Sequence, residues 1–469
     1  MNGAAATGTA TLRALALAGT LAVAACGPLR AATLRVDQSG GGDHTTIQAA
    51  LTAAASGDSV LVAAGVYAGP ANRDLDFTGK AIVLASEPGP AQTVIDCERL
   101  GRAFRFHTGE TGAAAVIGFT IANGESAERG GGILCEGASP RIENCVISGC
   151  VTGAGSATGY GGGVYCSNSA LALTDCVLTG NTADEGAAMY AADSSPALTR
   201  CRVVANAAVR GGGGIRILRG GSGARLTGCT IAGNTAATYG GGIYCCYSAP
   251  VITNCTIVGN AASNGGAVYG YDASPTITNT ILAFSTTGAA VYCPGASAFT
   301  ITHSCSFGNA GGDSLCGTHH DNVFVDPAFC DTTAGSFTVN ECSPCAGAGA
   351  GGADIGAWGI GCPCGGTGVP EVGTGGAARL EVFPNPARGP VLFVIETGSE
   401  GADPEAVTIH DLRGRLVRRI ALSPAAGGLR HARWDGRDAS GADVPHGVYF
   451  ARAGSATWSG SVGKLVVLR

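Results

Sequence analysis

A pattern returning every 23 to 31 residues constrains this chain more than any other feature. It opens with a Gly-rich turn and an apolar residue, as in Gly130-Gly131-Gly132-Ile133, Gly161-Gly162-Gly163-Val164 and Gly186-Ala187-Ala188-Met189. It returns at Gly212-Gly213-Gly214-Ile215, Gly240-Gly241-Gly242-Ile243, Gly265-Gly266-Ala267-Val268 and Gly288-Ala289-Ala290-Val291. A second signature follows in each unit, typified by Ile252-Thr253-Asn254-Cys255-Thr256-Ile257-Val258-Gly259-Asn260. A unit this short cannot bury its own apolar face, so neighbouring units must stack.

Stacking aligns like residues into columns. One holds Ile142, Leu173, Leu198, Leu226, Ile252 and Ile277. A second holds Cys145, Cys176, Cys201, Cys229 and Cys255, and a third, two residues later, runs from Ile147 to Leu282. Strand side chains alternate with period two, so the last two columns share a face. The first lies an odd three residues before the cysteines, which requires a bend. The residue before each Cys supplies it: Asn144, Asp175, Gly228, Asn254 and Asn279 all tolerate positive φ. Arg200 departs from the pattern and is expected to mark a local distortion. Each unit thus reads as three short strands, and the whole as a right-handed parallel β-helix with three strands per coil. A left-handed hexapeptide helix would need stricter, shorter coils. The Cys column reads as packing by small, buried thiols, with disulfides between coils the alternative at ~4.8 Å spacing, although their dihedral demands fit a straight ladder poorly. The low aromatic content of 6 % fits a narrow core.

Charged residues make up 13 % of the chain and the net charge is −6, with no basic run, which argues against nucleic acid or an anionic membrane surface as partner. Residues 1–26 read as a signal peptide: Arg13 precedes the apolar stretch Ala14 to Ala25, too short to span a bilayer. Val23-Ala24-Ala25-Cys26 also has the form of a lipobox, so lipidation at Cys26 and ordinary cleavage both stay open. No later stretch suits a transmembrane segment.

A solenoid needs caps at its ends. Residues 45–55 (TTIQAALTAAA) read as an amphipathic helix with Ile47, Ala50 and Leu51 on its apolar face. The stretch VDQSGGGDHTTIQAALTAAASGDSVLVAAGVYAG resembles the N-terminal cap of pectinesterases and related β-helix proteins. The following repeats resemble those of β-helix surface proteins, including chlamydial polymorphic outer-membrane proteins. The resemblance covers about residues 33–362 and implies the fold, not an activity. VDPAF, SPC and ADIGAWGIGC look like its closing segment. Cys330, Cys342, Cys345, Cys362 and Cys364 crowd there; disulfides in an exported cap are the expectation, with Cys345–Cys362 the favoured pair and zinc the alternative.

Residues 363–377 form a Gly-rich linker, and 378–469 lack Cys and carry denser charge, marking a further domain. Strands are expected at Leu392 to Ile395, Ala406 to Ile409, Leu416 to Ile420, Gly447 to Ala451 and Lys464 to Leu468, forming a small Ig-like β-sandwich. Pro384-Asn385-Pro386, Asp411-Leu412-Arg413-Gly414-Arg415-Leu416-Val417, Trp434-Asp435-Gly436-Arg437-Asp438 and Gly447-Val448-Tyr449-Phe450 resemble the FlgD-type Ig-like domain and the type A sorting domain of type IX secretion. That resemblance implies passage across an outer membrane or docking at the cell surface, with the secretion machinery as partner. A plain adhesive module is the other reading.

One polar stripe is a candidate binding site. Four residues after each coil's opening apolar residue stand Gly137, Asn168, Asp193, Arg219, Tyr247, Asp272 and Gly295. Asp193, Arg219 and Asp272 are the catalytic candidates and, with Asn168 and Tyr247, the ligand-binding candidates. Asp193 and Asp272 lie three coils apart, about 14 Å at ~4.8 Å per coil. Paired carboxylates in glycosidases need ~5–9.5 Å, which excludes that mechanism for this pair. QDT- and DFIFG-like segments of pectinesterases are missing, and no Asp-rich loop suggests calcium. His319-His320-Asp321 reads as a solvated loop. No cofactor or metal is called for. Two functions stay open: a non-catalytic surface scaffold binding glycans or other extracellular partners, and a lyase or hydrolase of acidic polysaccharide.

Overall fold

The structure, a computed structural model, describes residues 31–153, 159–221, 223–332, 336–363, 379–383, 391–396, 406–411, 415–424, 429–454 and 462–467. The signal peptide and Cys26, nearly all of the Gly-rich linker, Cys364, Pro384-Asn385-Pro386 and Leu412 to Gly414 lie outside the described residues. Two compact units result: one runs to Val325 and takes in Ile355–Ala357, the other comprises Asp326–Asp354 and Trp358–Arg469. Among the described residues no helix is long and apolar enough to cross a membrane.

The first unit is a right-handed parallel β-helix. Sheet 1 has twelve strands, from Thr33–Val36 to Thr318–His320, and sheet 2 has ten, from Gly65–Tyr67 to Cys305–Phe307. Sheet 3 has nine, from Leu75–Asp76 to Val291–Tyr292. One coil shows the order: Ile133–Glu136 in sheet 3, Arg141–Glu143 in sheet 1, Val146–Ser148 in sheet 2. The apolar column is literal: Ile142 pairs Leu173, then Leu198, Leu226, Ile252 and Ile277 follow in register, all at most 1 % exposed. Ile147, Leu178, Val203, Ile231, Ile257 and Leu282 do the same in sheet 2.

Three strands per coil is not the whole pattern. A fourth, five-stranded sheet spans Glu125–Ser126 to Thr235–Ala236, because the turn after sheet 2 is long enough there to pair with its neighbours. Every corner is made by a left-handed residue, as at Gly130 (φ 59°), Gly137 (63°), Asn144 (48°) and Gly149 (60°). Arg200 is no distortion: it takes the same corner, with φ 51°, and its guanidinium grips Asp175 of the preceding coil at 2.7 and 2.6 Å. The corner is imposed by the ladder between coils, in which the Arg200 N–H donates to the Thr227 carbonyl at 2.9 Å; the exposed ion pair adds little. The glycines after each Gly-rich corner answer a different need: a Cβ on Gly131 would stand 2.5 Å from the Gly162 carbonyl of the next coil.

The Cys column is buried as unbonded thiols, from Cys145 to Cys255, each donating to a carbonyl two residues back. Beside it runs a ladder of asparagines. Asn181 Nδ2 donates to Asn206 Oδ1 at 3.0 Å, Asn206 to Asn234 at 2.9 Å, and Asn234 to Asn260 at 3.0 Å. The same oxygens accept backbone N–H groups from the preceding coil.

The cap helix is Ile47–Ala53, shorter than the 45–55 expected, with Ile47, Ala50 and Leu51 buried as expected. Lys80 ends it, its ammonium donating to the carbonyls of Leu51, Thr52 and Ala54 at 2.8–3.0 Å. Near the last coils a disulfide joins Cys293 to Cys316. In the second unit, Phe329–Asp331, Ser336–Asn340 and Ile360–Cys362 form a small sheet stapled by Cys330–Cys362. The expected Cys345–Cys362 bridge is therefore corrected. Cys330 and Cys362 sit on the two strands that flank Ser336–Asn340, with Cα atoms 5.9 Å apart, whereas Cys345 lies on no strand. Cys342 is also disulfide-bonded, so neither it nor Cys362 has a thiolate for zinc.

The C-terminal domain is a β-sandwich of two four-stranded sheets, Arg379–Phe383, Val391–Glu396, Leu429–Trp434 and Ser423–Pro424 against Leu416–Ala421, Ala406–His410, Gly447–Gly454 and Val462–Val467. Trp434 and Tyr449 anchor its core edge to face, 5.9 Å apart. The indole donates to the Arg437 carbonyl and the phenol to that of Pro445, so both motif aromatics serve the fold.

Candidate functional site

The polar stripe exists as a column, and its first job is structural. Asn168, Asp193, Arg219, Tyr247 and Asp272 all have positive φ, between 45° and 53°, like Gly137 and Gly295 above and below them. They are the corner residues that close each strand of sheet 3, so Asn and Asp stand there for the reason they favour any left-handed position. Asp193 and Arg219 form a bidentate pair at 3.0 and 3.2 Å, exposed enough to be worth little. Asp272 accepts the Ala296 N–H at 2.7 Å. The two carboxylates are three coils apart in the register, each engaged with its own neighbour. His319, His320 and Asp321 lie on and just after an exposed strand; His320 pairs with Asp321 at 2.7 Å. A hollow of about 430 Å³ beside them is lined by Asp313, Ser314, Leu315, His319 and Phe324. Among the described residues no cluster of three or more His, Cys, Asp or Glu could hold a metal.

What the columns bring together is tyrosine. Nine of the chain's eleven tyrosines fall on the coils of sheet 3. Tyr165, Tyr190, Tyr244, Tyr269 and Tyr292 stand in register on the outward side of its strands, alternating with core residues such as Val164 and Cys166. Tyr160 and Tyr239 reach them from the preceding corner, with ring centroids 4.8 Å from Tyr190 and Tyr269. Tyr271 and Tyr247 close the strands and meet edge to face at 5.6 Å.

One cation is built into this stack. Arg216 replaces a tyrosine in the column, is 8 % exposed, and lies 4.2 Å from the Tyr244 ring centre and 5.5 Å from that of Tyr190. Glu185 neutralises it at 2.9 Å, leaving Nε without a partner. Such burial of a guanidinium is tolerable because rings and carboxylate together replace water. Burial pushes the Tyr190 and Tyr269 phenols up to about 12, so they remain neutral hydroxyls at any physiological pH. Four rings stay open to solvent: Tyr239, Tyr247, Tyr271 and Tyr292, 36–54 % exposed. The arrangement offers aromatic surface with hydroxyl donors, and no nucleophile–base pair.

The sequence signal for this face is the Tyr that follows the β-branched or Met residue in Val164-Tyr165, Met189-Tyr190, Ile243-Tyr244, Val268-Tyr269 and Val291-Tyr292. Period-two alternation assigns it to the outside once its neighbour is known to be core.

Comparison with known proteins agrees with the architecture. The family model for the right handed beta helix region matches residues 106–282 and 162–329, and that for the FlgD Ig-like domain matches 389–457. Among solved structures, pectate lyase Pel9A is similar at 14 % identity over 70 % of this chain and 96 % of that one, with a TM-score of 0.43. Pectin methylesterase from carrot is similar at 12 % identity over 65 % and 90 %, with a TM-score of 0.30. Dimeric latent PorU from Porphyromonas gingivalis is 26 % identical over 19 % of this chain, which spans only 9 % of that protein, with a TM-score of 0.17. No curated protein matches the chain.

Proposed function

We propose that this protein is an exported, non-catalytic β-helical scaffold that binds extracellular glycan through the tyrosine face of sheet 3, and that its FlgD-type domain serves sorting or surface attachment. The observation that carries the binding role is the gathering of nine of eleven tyrosines on one side of the solenoid, four of them exposed. Tyrosine offers a large, stiff apolar ring with a polar tip, and it is enriched where proteins meet partners. An exposed aromatic cluster on a soluble surface otherwise carries only an aggregation cost. Asn168, Asp193, Arg219 and Asp272 border this face and serve it as a polar rim.

Incubating the full chain with pectin, alginate and neutral plant polysaccharides tests the reading. The expected result is retention of protein on polymer with no new reducing ends or unsaturated products. Product formation that Asp193→Ala abolishes would replace the scaffold with a lyase or hydrolase. Sorting has its own test: a chain lacking residues 378–469 should accumulate in the periplasm, and undiminished release of that chain sinks the claim.

A further inference from the structure

Resting on the reading of sheet 3 as a binding face, we infer that its ligand is a neutral polysaccharide and not a polyuronate or other polyanion. The argument is from charge. Between residue 226 and residue 378 the sequence contains no lysine or arginine. That interval holds every exposed tyrosine of the face: Tyr239, Tyr247, Tyr271 and Tyr292. The coils from Gly240 onward, which carry Tyr247, Tyr271 and Tyr292, therefore offer a polyanion no lysine or arginine, and Asp272 among them is repulsive; only Tyr239 shares its coil with Arg216 and Arg219.

The arginines beside the tyrosines do not fill the gap, because each of Arg129, Arg210, Arg216 and Arg219 already faces a carboxylate; Arg105, exposed on the same column, stands two coils before Tyr165 and far from the exposed rings. Arg129 lies 3.4 Å from Glu136, Arg216 and Arg210 share Glu185 at 2.9 and 3.8 Å, and Arg219 holds Asp193 at 3.0 Å. Each of these guanidinium charges has a carboxylate beside it, and with Asp272 counted the face presents a polyanion with no net positive charge. What remains available is aromatic surface, phenol hydroxyls and the amide of Asn168. These recognise a sugar ring by its apolar C–H face and its hydroxyls. Parallel coils repeat the aromatic positions every ~4.8 Å along the axis, so a linear polymer lying along the solenoid meets equivalent contacts in succession.

The test is native affinity electrophoresis of the full chain in gels containing mixed-linkage β-glucan, mannan or xyloglucan, and in parallel gels containing polygalacturonate or alginate, at low and high salt. The expected result is retardation by at least one neutral polymer, little changed by salt because no ion pair forms. The double substitution Tyr247→Ala/Tyr271→Ala should weaken it about tenfold or more, equivalent to ~1.4 kcal/mol, while Tyr247→Phe/Tyr271→Phe restores most of it. Both residues are exposed, and an unchanged thermal melt shows that the fold is intact. Retardation by polygalacturonate or alginate alone, relieved by salt, would overturn the neutral ligand and leave the tyrosine face standing. Neutral binding indifferent to the tyrosine substitutions would move the site elsewhere and overturn both, as would no retardation in any gel.

Discussion

Asn206 carries more of this structure than its size suggests. Buried to 1 %, it accepts the Asn181 N–H and side-chain amide and donates to Asn234 and to the carbonyls of Leu178 and Val204. Replacing it with Leu leaves the buried Asn181 backbone N–H without its acceptor and takes the amide donor from the Leu178 and Val204 carbonyls, while the Asn234 oxygen keeps only the backbone N–H of residue 206. Asn206→Leu is expected to lose about 2–3 kcal/mol in chemical denaturation, and a loss under about 0.5 kcal/mol would show that the ladder is not cooperative. The thiols make a pH prediction. Burial pushes Cys145 up to about 11 and Cys245 up to about 12, against about 8.5 in an unfolded chain. The folded state therefore keeps protons that the unfolded state releases. That contribution is whole below pH ~8.5 and drains away as pH climbs toward 11 and 12. Melting temperature should be flat to about pH 8 and fall above pH ~9, less steeply in Cys145→Ala/Cys245→Ala. The left-handed corners were legible because Gly, Asn and Asp tolerate positive φ, while Arg200 was not, since the backbone ladder to the next coil, not the residue type, sets its corner. At Asp193 and Asp272 the same preference for positive φ accounts for the corner, so their polarity alone does not mark a site.

At the scale of elements, strands of sheets 1 and 2 could be read residue by residue, since Ile142 to Ile277 and Ile147 to Leu282 keep strict register. The fourth sheet could not: Thr182–Glu185 and Ala207–Gly211 are small, polar and irregular, and only neighbouring backbones make them strands. The cap helix was visible from its apolar face, but its end was not, because the stop signal is Lys80, 27 positions beyond Ala53 in the chain. Three carbonyls at a helix C-terminus meet one ammonium there, a favourable charge–dipole contact. Lys80→Met should cost about 1 kcal/mol and raise amide exchange in Ile47–Ala53 first; unchanged exchange there would deny the contact any weight. The tyrosine column is half visible in the sequence: a Tyr recurs after the opening apolar residue of five units, but which side it faces depends on knowing that Val164 and Cys166 point inward.

For the molecule as a whole, two separate cores were legible from composition, one rich in Cys and Gly, one without Cys. The solenoid core runs from Val36 to Ile301 and the sandwich core from Leu380 to Val467. Calorimetry should accordingly show two transitions, and removing residues 379–469 should erase one and leave the other within a few degrees; a single merged transition would refute separate cores. Within the solenoid, stability is shared between neighbours, so Leu226→Ala in a middle coil should cost about 2–5 kcal/mol.

Because Gly240 and Gly265 occupy the same station on successive coils, residues 240–264 form an interchangeable module. A tandem copy of that segment would slot between its neighbours with the Asn260 rung, the Cys255 rung and two new tyrosines each finding a ready-made mate. Recombination within such a gene could thus extend or trim the aromatic surface in steps of ~4.8 Å, adjusting how long a polymer it grips while every other bond in the molecule stays as it is.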